Sequence, residues 1–277
     1  MKIAVPIASV EEAEVLARAG AGELHCGFGP DPRAGSAARQ PGGFHDPRAL
    51  LHAIGAAHRH GATISLALNP RGDAGERLAA TLSIAESFLG MGGDALIVSG
   101  LGLIGELFRH VPLSRIHADA SGNRRMRGAA LLYRELGVPR LALPRDATLD
   151  DACAIAAEVP GLEIEAFIHH GGLPHPPRRA ASPGMASPRH GRRHGETAGR
   201  LLGPHALPSL LGGGVAVVRI ASAESPTAVK LASVRMAKAV LGRAEAGEGD
   251  ERVIRLARAA AQPGRAGHLR HDPGAPG

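Results

Sequence analysis

The chain has 277 residues, a formal charge of +6 and a hydrophobic fraction of 44%, enough apolar material for one large domain such as an α/β barrel of about 250 residues. Its two cysteines, Cys26 and Cys153, exclude a disulfide framework and cannot supply the four ligands of a zinc or iron–sulfur site. No apolar run approaches the roughly 20 residues of a membrane span. Met1–Pro6 leads straight into a strand and a capped helix, so no secretory leader is expected and the cytoplasm is the default location. Only Lys2, Lys230 and Lys238 among the 32 basic residues are lysine. The arginines accompany abundant Ala, Gly and Pro, which reads as compositional bias more than as a selected nucleic-acid surface. With no Trp, one Tyr and five Phe, the core must be filled by Ala, Leu, Ile and Val.

Lys2–Pro6 reads as a buried strand. Ser9-Val10-Glu11-Glu12 is a capping box for a helix that Gly20 stops, and Glu23–Cys26 is the second strand. Gly27–His45 reads as a Gly/Pro-rich loop. Asp46-Pro47 starts a helix that ends at Gly61. Thr63–Leu68 is a strand closing on Asn69-Pro70, and Leu78, Leu82, Ala85 and Phe88 mark the next helix. Ala95–Val98 and Arg115–Ala118 are strands around a helix over Leu101–His110. Ala129, Leu132, Tyr133 and Leu136 form the next helix face. Leu141–Leu143 is a strand, Thr148–Asp151 caps a helix, and Glu163–Ile168 is the seventh strand.

Gly171 to His205 follows as a 35-residue loop rich in Gly, Pro, His and Arg, far longer than an ordinary connection. Val215–Ile220 is the eighth strand, and Val229, Ala232, Met236 and Val240 line the last helix. Strict βα alternation over eight units predicts a (β/α)8 TIM-like barrel over residues 1–242. Residues 171–205 form its irregular loop, and 243–277 form a basic, disordered tail in which Glu251–Ala261 can make a short helix. A doubly wound open sheet is the alternative, against which stands the absence of a Gly-rich nucleotide turn after the first strand.

In such a barrel ligands sit at the C-terminal ends of the strands. That rule selects Cys26, Asn69, Ser99, His117 with Asp119 and Asn123, Arg145 with Asp146, His169 with His170, and Arg219. Asn69 before Pro70 also suits a turn, Cys26 also suits a buried apolar position, and Asp119 and Asp146 also suit helix caps. His117 beside a carboxylate is the best-placed group for proton transfer. His169-His170 is a poor chelating pair within a strand, since neighbours point to opposite faces. With His175, His190, His194 and His205 it could form only a weak metal cluster, because Glu196 is the sole carboxylate of the loop. The loop's arginines, Arg178, Arg179, Arg189, Arg192, Arg193 and Arg200, suit phosphate or RNA but have no aromatic interleaved for base stacking.

These segments together resemble peptidase family U32, the collagenase-like peptidases. The matching pieces are Met1–Pro6, Glu11–Gly20, Glu23–Gly27, His60-Gly61, Leu66–Asn69, Gly93–Ser99, Ile116-His117 through Asn123, Leu132–Val138, Leu143–Asp146 and Glu165–His169. The resemblance covers about residues 1–242 and implies a TIM-like barrel. It also implies an activity that is peptidase-like or that modifies RNA or a small molecule; some relatives are implicated in hydroxylating tRNA or rRNA bases, others in proteolysis. The family signature continues to a cysteine where this chain has Gly171-Gly172-Leu173-Pro174, and the following loop has none. The iron–sulfur cluster of some members therefore does not carry over, and no cofactor is expected. The family's acidic-Gly-Arg segment is likewise absent around Ala221-Ser222-Ala223.

On the resemblance and the strand-end rule together, His117, Glu165 and His169 are the candidate catalytic residues: His117 shuttles a proton and Glu165 orients the site. Asn69, Asp119, Asn123 and Arg145 are the candidate substrate-binding residues, with Arg145 holding an anionic group. No metal site is expected. The substrate is a peptide, an RNA or a small molecule, and the enzyme reading stands beside two others: a catalytically degenerate scaffold with a protein partner, and a basic RNA-binding protein.

Overall fold

In the computed structural model, which describes residues 1–29, 43–68, 74–120, 126–168, 202–220, 225–248 and Arg255, strands and helices alternate along the chain. The strands are β1 (Lys2–Pro6), β2 (Glu23–Phe28), β3 (Gly43–Phe44), β4 (Thr63–Leu68), β5 (Ala95–Ser99), β6 (Ile116–Asp119), β7 (Arg140–Ala142), β8 (Glu163–Ile168) and β9 (Val217–Ile220). The helices are α1 (Val10–Arg18), α2 (Pro47–Arg59), α3 (Ala74–Gly90), α4 (Leu101–Leu107), α5 (Met126–Glu135), α6 (Leu149–Glu158), α7 (Leu207–Gly212) and α8 (Thr227–Glu245).

All strand pairings are parallel, and β1 pairs with both β2 and β9. Eight strands therefore close into a ring, β1-β2-β4-β5-β6-β7-β8-β9, while β3 pairs only with the far end of β2. Following the paired residues once around the ring returns to β2 displaced by eight residues, the shear of a (β/α)8 barrel. The fold is thus the barrel that the alternation predicts.

Side chains alternate across each strand. The outward set, which includes Ile3 and Val5, Leu24 and Cys26, Ile64 and Leu66, Leu96 and Val98, and Ile164 and Ala166, forms one continuous hydrophobic core with the helices. Burying a Leu, Ile or Val side chain stabilises by about 1.5–3 kcal/mol, so this outer layer supplies most of the driving force. Helix boundaries follow local chemistry. Asp46 caps α2 by accepting from Arg48 N at 2.9 Å, with Pro47 in the first turn. Thr148 and Asp151 form a reciprocal capping box on α6. Gly20, with φ of +106°, takes the left-handed conformation that ends the α1 unit.

Several local expectations are corrected. The stretch expected as loop from Gly27 to His45 contains β3 at its end. Between the long loop and β9 lie a turn of 3-10 helix, Pro204–Ala206, and α7, and β9 begins at Val217. On α5 the buried residues are Ala129, Ala130 and Tyr133, while Leu132 and, just past the helix, Leu136 are 43% exposed, so the buried stripe is turned toward Ala130. On α8 the buried set is Lys230, Ser233, Val234, Ala237, Val240 and Leu241, with Ala232 exposed. α8 runs to Glu245, into the stretch expected as tail; most of the 171–205 loop and most of the 243–277 tail, including the expected helix at Glu251–Ala261 apart from Arg255, lie outside the described residues.

Lys230 explains the rotation of α8. The Glu12 side chain reaches back from α1 to accept from Ala8 N at 2.8 Å, rather than from the Ser9 amide of a simple capping box. Its carboxylate also receives Lys230 Nζ at 2.9 Å on each oxygen and Thr227 Oγ1 at 2.9 Å. The pair is nearly sealed from solvent and fastens the last helix to the first. Breaking a buried pair leaves an uncompensated charge. Lys230→Met is expected to lower the unfolding free energy by about 3 kcal/mol, measured by urea denaturation. Adding Glu12→Gln should recover part of that loss. No loss in the single variant would show that the pair is solvated.

Candidate functional site

The barrel's shear sorts inward residues into layers of four drawn from alternate strands. From the N-terminal end, the register places Glu23, Ala95, Arg140 and Val217 in the first layer and Ala4, Ser65, His117 and Glu165 in the second. The third holds His25, Ile97, Ala142 and Arg219, and the fourth Pro6, Ala67, Asp119 and Phe167. Such interiors are usually packed with bulky aliphatics. Here long charged side chains share the layers with alanine, whose small volume leaves them room.

Arg140 is the hub. Its Nη1 donates to Glu23 Oε2 at 2.5 Å, its Nε to Glu163 Oε2 at 2.8 Å, and Nη1 lies 3.8 Å from Glu165 Oε2. Ser65 Oγ donates to Glu23 Oε1 at 3.1 Å, and His117 Nδ1 stands 3.8 Å from that oxygen. Arg219 Nε forms a close ion pair with Glu165 Oε1, though not one aligned as a hydrogen bond. Opposite charges thus alternate from half-exposed Glu163 at the N-terminal end to Arg219 near the mouth.

The electrostatics follow from burial and this pairing. Burial pushes Glu23 up, but the charge of Arg140, its hydrogen bond and the charge of Arg219 bring it below the usual carboxylate range. Burial raises Glu165, only partly opposed by Arg219 and further raised by Glu23. Burial and then Arg140 push His117 down to about 3, against the pull of Glu23. His25 lies well below the normal imidazole value because of burial, then the charges of Arg219, Arg145 and Lys230. Both imidazoles are therefore neutral in the fold near pH 7.

At the mouth, Arg145 follows β7 and is exposed. Its guanidinium carbon lies 4.9 Å from the centroid of Phe167, and that of buried Arg219 lies 5.3 Å from it. Phe167 and Arg219 are register partners on β8 and β9. Two guanidinium groups thus share the Phe167 side of the mouth, while Asp119, in the same layer as Phe167, and exposed Asp146 beside Arg145 bring carboxylates.

Of the sequence-selected residues, Asp119 and Arg145 lie at the mouth. His117 and Glu165 lie in the second layer, 9% and 0% exposed, beneath the third-layer pair His25 and Arg219. His117 points the same way as Asp119 but sits two layers below it, and its nearby carboxylate is Glu23 instead. Asn69, Asn123 and His169 lie outside the described residues. Cys26 faces outward into the helix layer, and burial pushes its thiol up to about 12. Sequence reasoning did not single out Glu23, His25, Ser65, Arg140 or Phe167. Their signal was polar residues at every second position, as in Glu23-Leu24-His25 and Glu163-Ile164-Glu165, with the apolar alternates facing the helices.

Among the described residues, no three His, Cys, Asp or Glu side chains are grouped to hold a metal ion. Cys26 in the β2 outer face and Cys153 on α6, whose thiol lies 3.6 Å from the Ser209 carbonyl, do not converge, so the cysteines do not fit an iron–sulfur cluster. Among the described residues no helix is long and apolar enough to cross a membrane.

The state of His117 has a measurable consequence. An unfolded imidazole titrates near 6.5, whereas folded His117 takes its proton only near 3. Its contribution to stability is full above pH 6.5 and is lost as pH falls toward 3, at up to about 1.4 kcal/mol per pH unit. In urea unfolding between about pH 7 and about pH 4, His117→Gln should lose stability less steeply than the parent by about one proton. Parallel profiles would mean that His117 charges within the fold.

The model of the family described as Peptidase family U32 matches residues 8–174. The tRNA hydroxylation protein P of Escherichia coli (strain K12) is 35% identical over 79 residues, 28% of this chain and 17% of that protein. The Helicobacter pylori protein of the same name is 32% identical over 76 residues, 27% of this chain and 18% of its own. These matches thus span less than a fifth of either relative. Among solved structures, N-acetylneuraminate lyase from Fusobacterium nucleatum superposes with a TM-score of 0.54 at 8% identity, over 93% of this chain and 79% of that one. A phosphoribosyl anthranilate isomerase complex gives 0.51 at 11% identity, over 86% and 99%. Both likenesses concern the barrel fold alone.

Proposed function

Because the chain belongs to peptidase family U32, we propose that it recognises RNA at the C-terminal mouth of its barrel and serves an RNA-modifying reaction there. The observation that carries this reading is the pair of guanidinium groups, Arg145 and Arg219, set against the ring of Phe167. A flat cation backed by an aromatic ring suits a nucleotide, since its donors take phosphate oxygens and its plane stacks on bases. The partial relatives named for tRNA hydroxylation point the same way.

Arg145 and Asp119 contact the substrate at the rim in this reading, and Glu165 holds Arg219 in place below. Asn69, Asn123 and His169, which come after β4, β6 and β8 in the sequence, are proposed as further site residues. Peptide hydrolysis by a covalent route has weaker support among the described residues, because it calls for an activated nucleophile beside a base. Burial raises both thiols, Cys26 to about 12, and His117 sits below the floor of the mouth. That placement of His117 and Glu165 also favours a second reading, a barrel that binds RNA without turning it over.

The test is a mobility-shift titration of the full chain with unmodified tRNA, followed by nucleoside mass spectrometry of the recovered RNA. Arg145→Ala should weaken tRNA binding about tenfold and reduce its salt dependence by about one ion. Unchanged affinity in that variant overturns the proposal. Binding with no altered nucleoside selects the second reading.

A further inference from the structure

The floor of the mouth holds more hydrogen-bonding capacity than the protein itself uses. His25 and Arg219 belong to the same layer, on strands separated only by β1. They are 6% and 4% exposed. His25 Nδ1 and Arg219 Nη2 have no hydrogen-bond partner among the described residues. Buried polar atoms in folded proteins are nearly always partnered, by protein, water or ligand, because leaving them bare costs stability.

The surroundings favour an anion in that role. The other members of the layer, Ile97 and Ala142, offer no polar atom, and Ala67 and Pro6 above are short. Arg145 brings a second guanidinium to the same side through Phe167. Lys230 acts on His25 from beyond, its own charge engaged by Glu12. Glu165 lies beneath, engaging Arg219 through Nε and leaving Nη2 unpartnered, and Asp119 lies above. Barrel enzymes often bind phosphate near the ends of the last two strands, where β8 and β9 carry Phe167 and Arg219.

We infer that His25 and Arg219 form a phosphate subsite at the floor of the mouth, Arg219 Nη2 donating to one oxygen and His25, as the Nδ1–H tautomer, to another. The subsite rests on the reading of the mouth as a substrate site and specifies what group enters deepest. The phosphate can belong to a nucleotide of the RNA or to a free phosphate monoester.

The experiment uses the full chain labelled with ¹⁵N-histidine, titrated separately with inorganic phosphate, uridine 5′-monophosphate and tRNA. The readout is the ring ¹⁵N resonance of His25, identified by its loss in His25→Gln. Phosphate and the nucleotide should both shift it, and Arg219→Lys should weaken their binding about tenfold, as expected for one misaligned charge-assisted hydrogen bond. A shift by tRNA but not by free phosphate places the subsite on the RNA backbone. Shifts by phosphate and nucleotide but not by tRNA assign it to a separate small ligand. If no probe moves His25, the subsite is wrong, even if Arg145→Ala still weakens tRNA binding. If Arg145→Ala leaves tRNA binding intact while phosphate moves His25, the RNA reading fails and the subsite stands.

Discussion

One guanidinium organises the interior of this barrel. Arg140 enters from the first layer and meets carboxylates from β2 and β8 at once. Without a cation between them, Glu23 and Glu165 would confront one another across a small, water-poor space, and Glu23 already raises Glu165. The alanines at positions 4, 95 and 142 belong to the same arrangement, because a barrel filled with isoleucine and leucine has no room for arginine. Buried ion networks rarely stabilise a fold more than apolar packing of equal volume. What this one supplies is direction: Glu165 is held beside Arg140, and Glu165 in turn fixes the guanidinium that stands against Phe167.

The two faces of the sheet therefore divide the labour. The outward face carries the hydrophobic driving force, and cysteine there behaves as a small apolar residue. The inward face carries almost all the polar chemistry. The family match over residues 8–174 spans β2 to β8 and so takes in Glu23, His25, Arg140, Glu165 and Phe167. Arg219 comes from β9, outside that stretch, and completes the ionic chain at its upper end.

Much of the fold was legible in the sequence, because strands that alternate with capped helices leave few other architectures. Helix faces were less legible. Leu132 and Leu136 fit an apolar stripe, but α5 buries Ala129, Ala130 and Tyr133 instead. On α8 a partner 218 residues away, Glu12, decides the face by drawing Lys230 inward. The site was half legible. Arg145, Asp119 and Arg219 stand at strand ends, which the barrel rule finds. His25 and Arg140 could not be assigned, because a charged residue in the middle or at the start of a strand reads as solvent-facing until the register of all eight strands is known. Shear, not local pattern, turns them into one layered stack.

The closure between the first and last units bears on how the chain acquires its structure. β1 gains its β9 neighbour, and Glu12 its Lys230 partner 218 residues away, only once the last strand and helix have formed. Contacts so distant in sequence are entropically late and slow folding. Until then β1 exposes an unpaired edge, a template for wrong pairing with other chains. During folding, the open side of β1 is thus the place where pairing with another chain competes with closure of the barrel.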